Sequence, residues 1–366
     1  DGTPGGKKLY IFSFARLPNE GAPPIDGQSW PASPDRNTPA YPGWVMDAGL
    51  MAANAPAPTI VADEDDEVFL TLTNVTMAMR PDLFDPHTVH WHGFPNAASV
   101  FDGVPDASIS VNMGASLTYY YLPKDAGTYM FHCHVEAAEH MQMGMLGNLY
   151  VRPRQNKTGA GAYPVARLAG NADPTAPLGY AYNDGDGSTR YDVEVPIQLG
   201  SFDPNFHDAH LNVQPLPFAG MRDRYFLMNG RGYPDTVDTR VISTEDPNGV
   251  VHPSQPMNSL IEATVGQRIL LRISNLNVTQ FNTVGTSGIQ MEVVGLDARL
   301  LRDGAGNNMY YKTQSLTIGG GQSADVIIDT AGLTPGTYYF YTNNLHQLAN
   351  DAENFGGMMT EIRITN

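Results

Sequence analysis

The chain repeats itself, and the repeat limits its fold more than any other feature. "VFLTLTN" (Val68–Asn74) is echoed by "ILLRISN" (Ile269–Asn275), and "GTYMF" (Gly127–Phe131) by "GTYYF" (Gly336–Phe340). Between these runs, in the same order, "HTVHWHG" (His87–Gly93) is matched by "NTVGTSG" (Asn282–Gly288), with Thr, Val and Gly holding their places. Three matches in one order indicate one unit duplicated, and the histidines and the Trp survive only in the first copy.

The echoed runs "VFLTLTN" and "GTYMF" are short and rich in β-branched or aromatic residues, and turn formers bound them, the pattern of a β-strand. "KKLYIFSFA", "SLTYYYLP" and "LGNLYVRP" add strands to the first copy. "YDVEVPIQLGSF", "RYFLMNG", "QMEVVGL", "ADVIIDT" and "MMTEIRIT" add them to the second. No long amphipathic helix interrupts them. With 37 Gly and 28 Pro to supply turns, an all-β chain of two Greek-key β-sandwich domains is expected. The 366 residues are too many for one typical core. The expected division is residues 1–153, a linker at 154–190 that is rich in Gly, Ala, Pro and Asn, and residues 191–366.

The net charge of −17 argues against a nucleic-acid partner, whose phosphates it would repel, and suits cationic or neutral ones. No run of about 18 apolar residues is present to span a membrane. The polar opening "DGTPGGKKLY" carries no targeting core, so an exported chain would be in its mature form here.

Six of the ten histidines fall in two clusters, His87, His90 and His92, then His132, His134 and His140. The second cluster encloses Cys133, the chain's single cysteine, in "FHCHVEAAEHMQMGM". Residues two apart on a strand share a face. His90 with His92, and His132 with His134, can therefore converge on one site while Cys133 points to the other face. A thiolate, two imidazoles and a weak thioether form the ligand set of a blue copper site. Cys133, His140 and Met145 supply three of these from one loop, and His87 is free to be the fourth. Zinc is the rival, but structural zinc favours several cysteines and an all-His zinc site would leave Cys133 idle. Met141 and Met143 read as packing residues.

"HTVHWHGF" with "GTYMFHCHVEAAEHMQMGM" resembles the multicopper oxidases, the cupredoxin-fold group that contains laccases. The resemblance is strong in the first half and weaker in the second, where "MNGRGYPDT" (Met228–Thr236) joins the repeats. It implies two cupredoxin-like domains and copper as cofactor. His87, Cys133, His140 and Met145 would hold type 1 copper, and His90, His92, His132 and His134 would face a type 2/type 3 cluster. Asp102, in "FDGVPD", sits where laccases carry an acid that relays protons, with His90 beside it as the other catalytic candidate; a turn Asp before Gly103 is the alternative reading.

The pattern breaks in the second copy, where the expected histidines are replaced by Asn282, Gly285 and Ser287, then Tyr341, Thr342 and Asn343. His346, in "YTNNLHQL", resembles the histidine by which copper nitrite reductases complete the type 2 site of a neighbouring subunit in a trimer. That family, however, carries an Asp where this chain has His90, and no imidazole at the place of His134. His207 and His210, in "NFHDAH", read as solvated loop residues, and His252 as a loop residue beside Pro253.

The leading expectation is a copper oxidoreductase that takes single electrons from a phenolic or metal-ion donor and reduces oxygen at an interfacial copper centre. The alternatives are a nitrite reductase-like enzyme and a non-enzymatic copper-binding electron-transfer protein. A homotrimer in the periplasm or outside the cell goes with the enzymatic readings.

Overall fold

The structure is a computed structural model that describes residues 9–17, 33–76, 80–82, 84–158, 179–245, 249 and 251–366. Six strands of the N-terminal half position the site: β1 (Ala57–Asp63), β2 (Val68–Thr73), β3 (His90–His92), β4 (Ser116–Tyr121), β5 (Gly127–His132) and β6 (Leu146–Arg152). One sheet runs β1-β6-β5-β3, with β1 parallel to β6 and the other pairs antiparallel. The β2–β4 pair forms the second sheet. Between them lie Trp91, Phe131 and Leu149 from the first sheet and Tyr119 and Tyr121 from the second, all buried. Trp91 stacks on Tyr121 with ring centroids 3.7 Å apart.

The C-terminal half repeats the plan with longer strands. Arg268–Asn275 is the middle of one sheet, between Val193–Phe202 and Gln322–Asp329. The facing sheet runs Ile261–Thr264, Met359–Thr365, Gly336–Thr342, Asn282–Thr286, Ser315–Ile318. Along Met359–Thr365, Thr360, Ile362 and Ile364 are buried and their neighbours are not, the alternation of a strand with one face on a core.

One expectation changes. The run "KKLYIFSFA" does not form a strand over its described residues. Residues 9–17 instead lie across loops, where Phe12 N–H donates to Met143 O and Phe14 O accepts from Asn54 N–H. The segment has β-forming residues but no neighbouring strand to ladder with. Of the linker, residues 159–178 lie outside the described residues. Its described flanks hold a helical turn, Gln155–Thr158, and a ladder of Gly179–Tyr180 with Arg190–Tyr191.

β5 is buried along its whole length because it has a core on each face. Tyr129 and Phe131 enter the N-terminal core, while Met130 packs with Leu276 of the other half. Thr128 Oγ1 donates to Asp325 Oδ1 at 2.5 Å, and Ser323 Oγ donates to Thr128 O at 2.6 Å. Behind this seam Arg272 is fully buried. Its Nε donates to Glu194 Oε1 at 2.5 Å, and its Nη1 lies 3.3 Å from Asp325 Oδ1. Arg152 of β6 reaches Glu194 Oε2 at 3.2 Å. Two buried carboxylates therefore depend on guanidinium groups from both halves, and truncating the shared one strands charge in a dry seam. Arg272→Met is expected to lower stability by about 3–5 kcal/mol, read as an earlier denaturant midpoint. Arg240→Ala, at an exposed pair with Asp238, should leave that midpoint in place.

Candidate metal centre

β5 ends at His132, which pairs with His90 of β3, and Cys133 and His134 follow directly. Alternation of faces then sends Cys133 one way and its two neighbours the other. The donor atoms of His87, Cys133 and His140 lie within 4.8 Å of one another, and so do those of His90, His132 and His134.

In the first group His87 sits in a bridge with Val111 just before β3, and His140 lies in the last turn of the helix Ala137–Gln142. Both rings turn Nδ1 to the sulfur, at 3.8 Å for His87 and 3.1 Å for His140. Thr88 N–H also points to the sulfur, at 3.4 Å. Met145 is buried, and its carbonyl accepts the Cys133 N–H at 3.2 Å. Phe12 covers the group, its ring centroid 5.3 Å from that of His140 and 6.0 Å from that of His87. Met141 and Met143 pack in neighbouring apolar clusters.

The donors are buried, and their charges are matched internally. Burial pushes the Cys133 thiol up, but hydrogen bonds from His140 and His87 outweigh it and bring it down to about 6. Burial pushes His140 down, but its hydrogen bonds to Asp85 and Cys133 raise it to about 10. A soft anionic sulfur with two imidazole nitrogens suits a soft or borderline metal.

In the second group the rings are aimed by backbone carbonyls. His132 Nδ1 is 2.8 Å from Cys133 O, and His90 Nδ1 is 2.6 Å from Asp102 O. With Nδ1–H donating to a carbonyl, Nε2 keeps its lone pair for a metal. His134 Nδ1 is buried with no hydrogen-bond partner in the structure. Burial first, then the neighbouring imidazoles, lowers His132 to about 3. Burial also heads the causes that lower His92 and His134. These rings are neutral at neutral pH, the state in which imidazole binds metal. The residues present therefore fit a metal at both groups.

His92 lies at the edge of the second group. Its Nδ1 is 3.2 Å from His132 Nε2, and its other nitrogen faces Gly321 of the C-terminal half. A Cβ at Gly321 would come within 2.8 Å of His92 Nε2, and the φ of +86° there also favours glycine. The Asp102 carboxylate is partly exposed, 3.6 Å from His90 Nδ1. Asp102 also closes the short helix Ser99–Phe101 before Gly103, so it is a turn residue as well as a neighbour of the group.

His346 is exposed on a short turn of the C-terminal half, its ring edge-on to Phe226, and joins neither group within the chain. His207 and His210 are not solvated loop residues: both are buried on the helix Pro204–Leu211. His207 Nδ1 meets Tyr10 O at 2.5 Å and holds the segment that carries Phe12, while His210 Nε2 lies 3.1 Å from Glu139 Oε1 and braces the helix carrying His140. His252 lies on the strand Val251–Gln255 and is buried.

Two neighbours of the first group were not singled out from sequence. Asp85 Oδ1 is 3.1 Å from His140 Nε2, and Asp85 Oδ2 is 3.7 Å from His87 Nε2. Thr76 Oγ1 is 3.0 Å from His87 Nε2. The signal for Asp85 was its place two residues before His87, on the same side of an extended chain.

The second copy reproduces this pocket with amides and a hydroxyl. Asn282, Thr342, Gln347 and Met358 stand where His87, Cys133, His140 and Met145 stand, and all are buried. Thr342 N–H donates to Met358 O at 3.0 Å, as Cys133 N–H does to Met145 O. Gln347 Oε1 accepts from Thr342 Oγ1 at 2.8 Å and from Asn282 Nδ2 at 3.1 Å. The polar atoms satisfy each other where the first copy has metal donors.

The family description "Multicopper oxidase" matches residues 42–156 and again residues 207–360, together well over half of the chain. The first match ends near β6, and the second takes in the amide-filled pocket. The chain belongs to the multicopper oxidases, a copper-dependent family. It is 34% identical over 99 residues to Laccase-1 of Emericella nidulans, covering 26% of this chain and 15% of that protein. It is 36% identical over 80 residues to a multicopper oxidase of Mycobacterium tuberculosis, covering 22% and 14%. Laccase-5 of Arabidopsis thaliana matches at 24% over 310 residues, 83% of this chain and 43% of that one. The first of these matches thus spans only a small part of its relative's length. Among solved structures, the blue copper oxidase of Nitrosomonas europaea aligns with a TM-score of 0.60 at 23% identity, covering 85% of this chain and 77% of that one. The copper nitrite reductase of Nitrosomonas europaea aligns with a TM-score of 0.54 at 17% identity, covering 86% and 84%. These two likenesses establish the cupredoxin-type fold.

The thiol gives a direct test of the first group. In copper-free protein the ultraviolet thiolate absorbance of Cys133 should persist at pH 7 and fade as pH drops through about 6, since the thiol is held down to about 6. A midpoint at or above the ordinary thiol value would show that His140 and His87 do not act on it.

Proposed function

We propose that the protein is a laccase-like multicopper oxidase that takes single electrons from a phenolic or metal-ion donor and reduces oxygen at a copper centre completed between subunits. The observation that carries this is the arrangement at the end of β5, where consecutive residues serve two donor groups. His87, Cys133, His140 and Met145 would hold type 1 copper, and His90, His132 and His134, with His92 at their edge, would hold the second centre. Copper bound there would supply one-electron redox chemistry.

The chain's own residues do the rest. Phe12 and Met145 keep water from the Cys133 sulfur. The peptide bonds from Cys133 to His132 and to His134 give the shortest path between the groups. The carbonyls of Cys133 and Asp102 aim His132 and His90. The Asp102 carboxylate, open to solvent and beside His90, holds and passes protons to the second centre. His346, exposed, is offered to the second centre of a neighbouring copy in a ring of three. A copper enzyme of this kind suits the periplasm or the outside of the cell. Among the described residues, no helix is long and apolar enough to cross a membrane.

One observation favours a nitrite reductase-like second reading: His346 is an exposed imidazole of the second copy, in the loop matching that of His140. Activity with a phenol under oxygen, against activity with nitrite under reductant, separates the two. Metal analysis should find more than one copper per chain; a single copper would sink both. Cys133→Ser should remove the blue absorbance and the turnover together. Asp102→Asn should lower turnover by about 100-fold or more with copper content unchanged. His346→Ala should lower the copper content of the oligomer and spare the blue band. If that content is unchanged, His346 is no ligand.

A further inference from the structure

The two copies of the pocket share more than the donor positions. Asn74 Nδ2 donates to Val111 O at 2.9 Å, and Asn275 Nδ2 to Ile318 O at 2.9 Å. Thr76 N–H donates to Asn74 Oδ1 at 2.9 Å, and Asn277 N–H to Asn275 Oδ1 at 2.8 Å. Thr76 then meets His87, as Asn277 meets Asn282. The residue two places before the first donor closes the set. Asp85 lies 3.1 Å from His140 Nε2, and Gln280 Oε1 accepts from Gln347 Nε2 at 3.0 Å.

The backbone and its supporting hydrogen bonds are thus held constant while the central groups differ. This is an internal control. In the copy with an amide at the centre, the outer acceptor is a neutral amide. In the copy with imidazoles at the centre, the outer acceptor is a carboxylate. An imidazole can present a lone pair from either nitrogen, and a ring that kept its proton on Nδ1 would hold N–H toward an arriving metal. An acceptor on Nε2 removes that choice.

We propose that Asp85 is the positioning residue of this pocket: its carboxylate takes the Nε2–H of His140 and stands 3.7 Å from Nε2 of His87, so that both rings present Nδ1 to Cys133. Thr76 shares the task at His87. The proposal rests on the type 1 reading of the group. It adds that the ring orientation exists before metal arrives and is set from outside the donor set. A carboxylate on the far nitrogen also makes each imidazole a stronger donor, which favours the oxidised over the reduced metal.

The test uses the full-length chain. Copper-free wild type, Asp85→Ala and Asp85→Asn, labelled at histidine nitrogen, are compared by nitrogen NMR and then titrated with copper against a chelator of known affinity. In copper-free wild type the His140 Nε2–H should be hydrogen-bonded, shifted downfield and slow to exchange. Asp85→Ala should lose that signature and bind copper at the Cys133 site about 10–100-fold more weakly. Asp85→Asn keeps an oxygen acceptor and loses the charge, so it should keep the blue band with a higher midpoint potential. If Asp85→Ala retains the wild-type His140 Nε2–H signal and affinity, the proposal is overturned. If Asp85→Ala fails to fold, Asp85→Asn decides alone, and an unchanged potential overturns the proposal. A wild-type protein that shows no Cys133-dependent blue band would instead remove the type 1 reading, an outcome separable from either variant's behaviour.

Discussion

Everything at the centre of this protein depends on one buried sulfur being held as an anion. Taking a thiolate out of water is costly, and the cost is offset only by donors aimed at it. Here the donors are His140 and His87, reinforced by the Thr88 N–H. They come from two segments: His140 from the loop after β5, and His87 and Thr88 from the approach to β3. The sulfur is therefore tolerable only when the sandwich has brought these segments together. The same requirement explains why Phe12, on a segment held by His207, and His210 reach across from other parts of the chain to the loop carrying His140.

Much of this was legible in the sequence because strand alternation is a strict rule. The spacing of His90 and His92, and of His132, Cys133 and His134, sorts side chains to two faces, and the structure gathers two donor groups on those faces. The duplication was legible because turn glycines and strand runs keep their order. Contacts between segments far apart in sequence were not. Nothing in "NFHDAH" announces that His207 meets Tyr10 O, or that His210 meets Glu139, since those partners lie in other parts of the chain. The segment at residues 9–17 was misread for a related reason. Its composition suits a strand, but a strand also needs a neighbour with free backbone groups, and composition does not reveal one.

The seam between the halves places a second constraint on the site. Thr128 and Met130 face the C-terminal half, and Met130 is two residues before His132 on the same strand face. The buried Arg272, Glu194 and Asp325 pair with one another within the C-terminal half, and docking adds Arg152 to Glu194 and Thr128 to Asp325. Gly321 then touches His92 from the same side. The C-terminal half thus shapes the second group without donating an imidazole to it from within the chain.

The second pocket shows what the fold asks of these positions when metal binding is not among the demands. A cavity shaped for two imidazoles, a thiolate and a thioether cannot simply be filled with apolar side chains, because the surrounding carbonyls and amides still need partners. Asn282, Thr342 and Gln347 meet that need by bonding to one another, and Met358 keeps its place beside them. Their shared wiring with the first copy separates two roles that a metal site usually merges. The outer hydrogen bonds belong to the fold, since they persist in both copies. The imidazoles, the thiol and the carboxylate at Asp85 belong to the chemistry, since they occur together in one copy and are replaced together in the other.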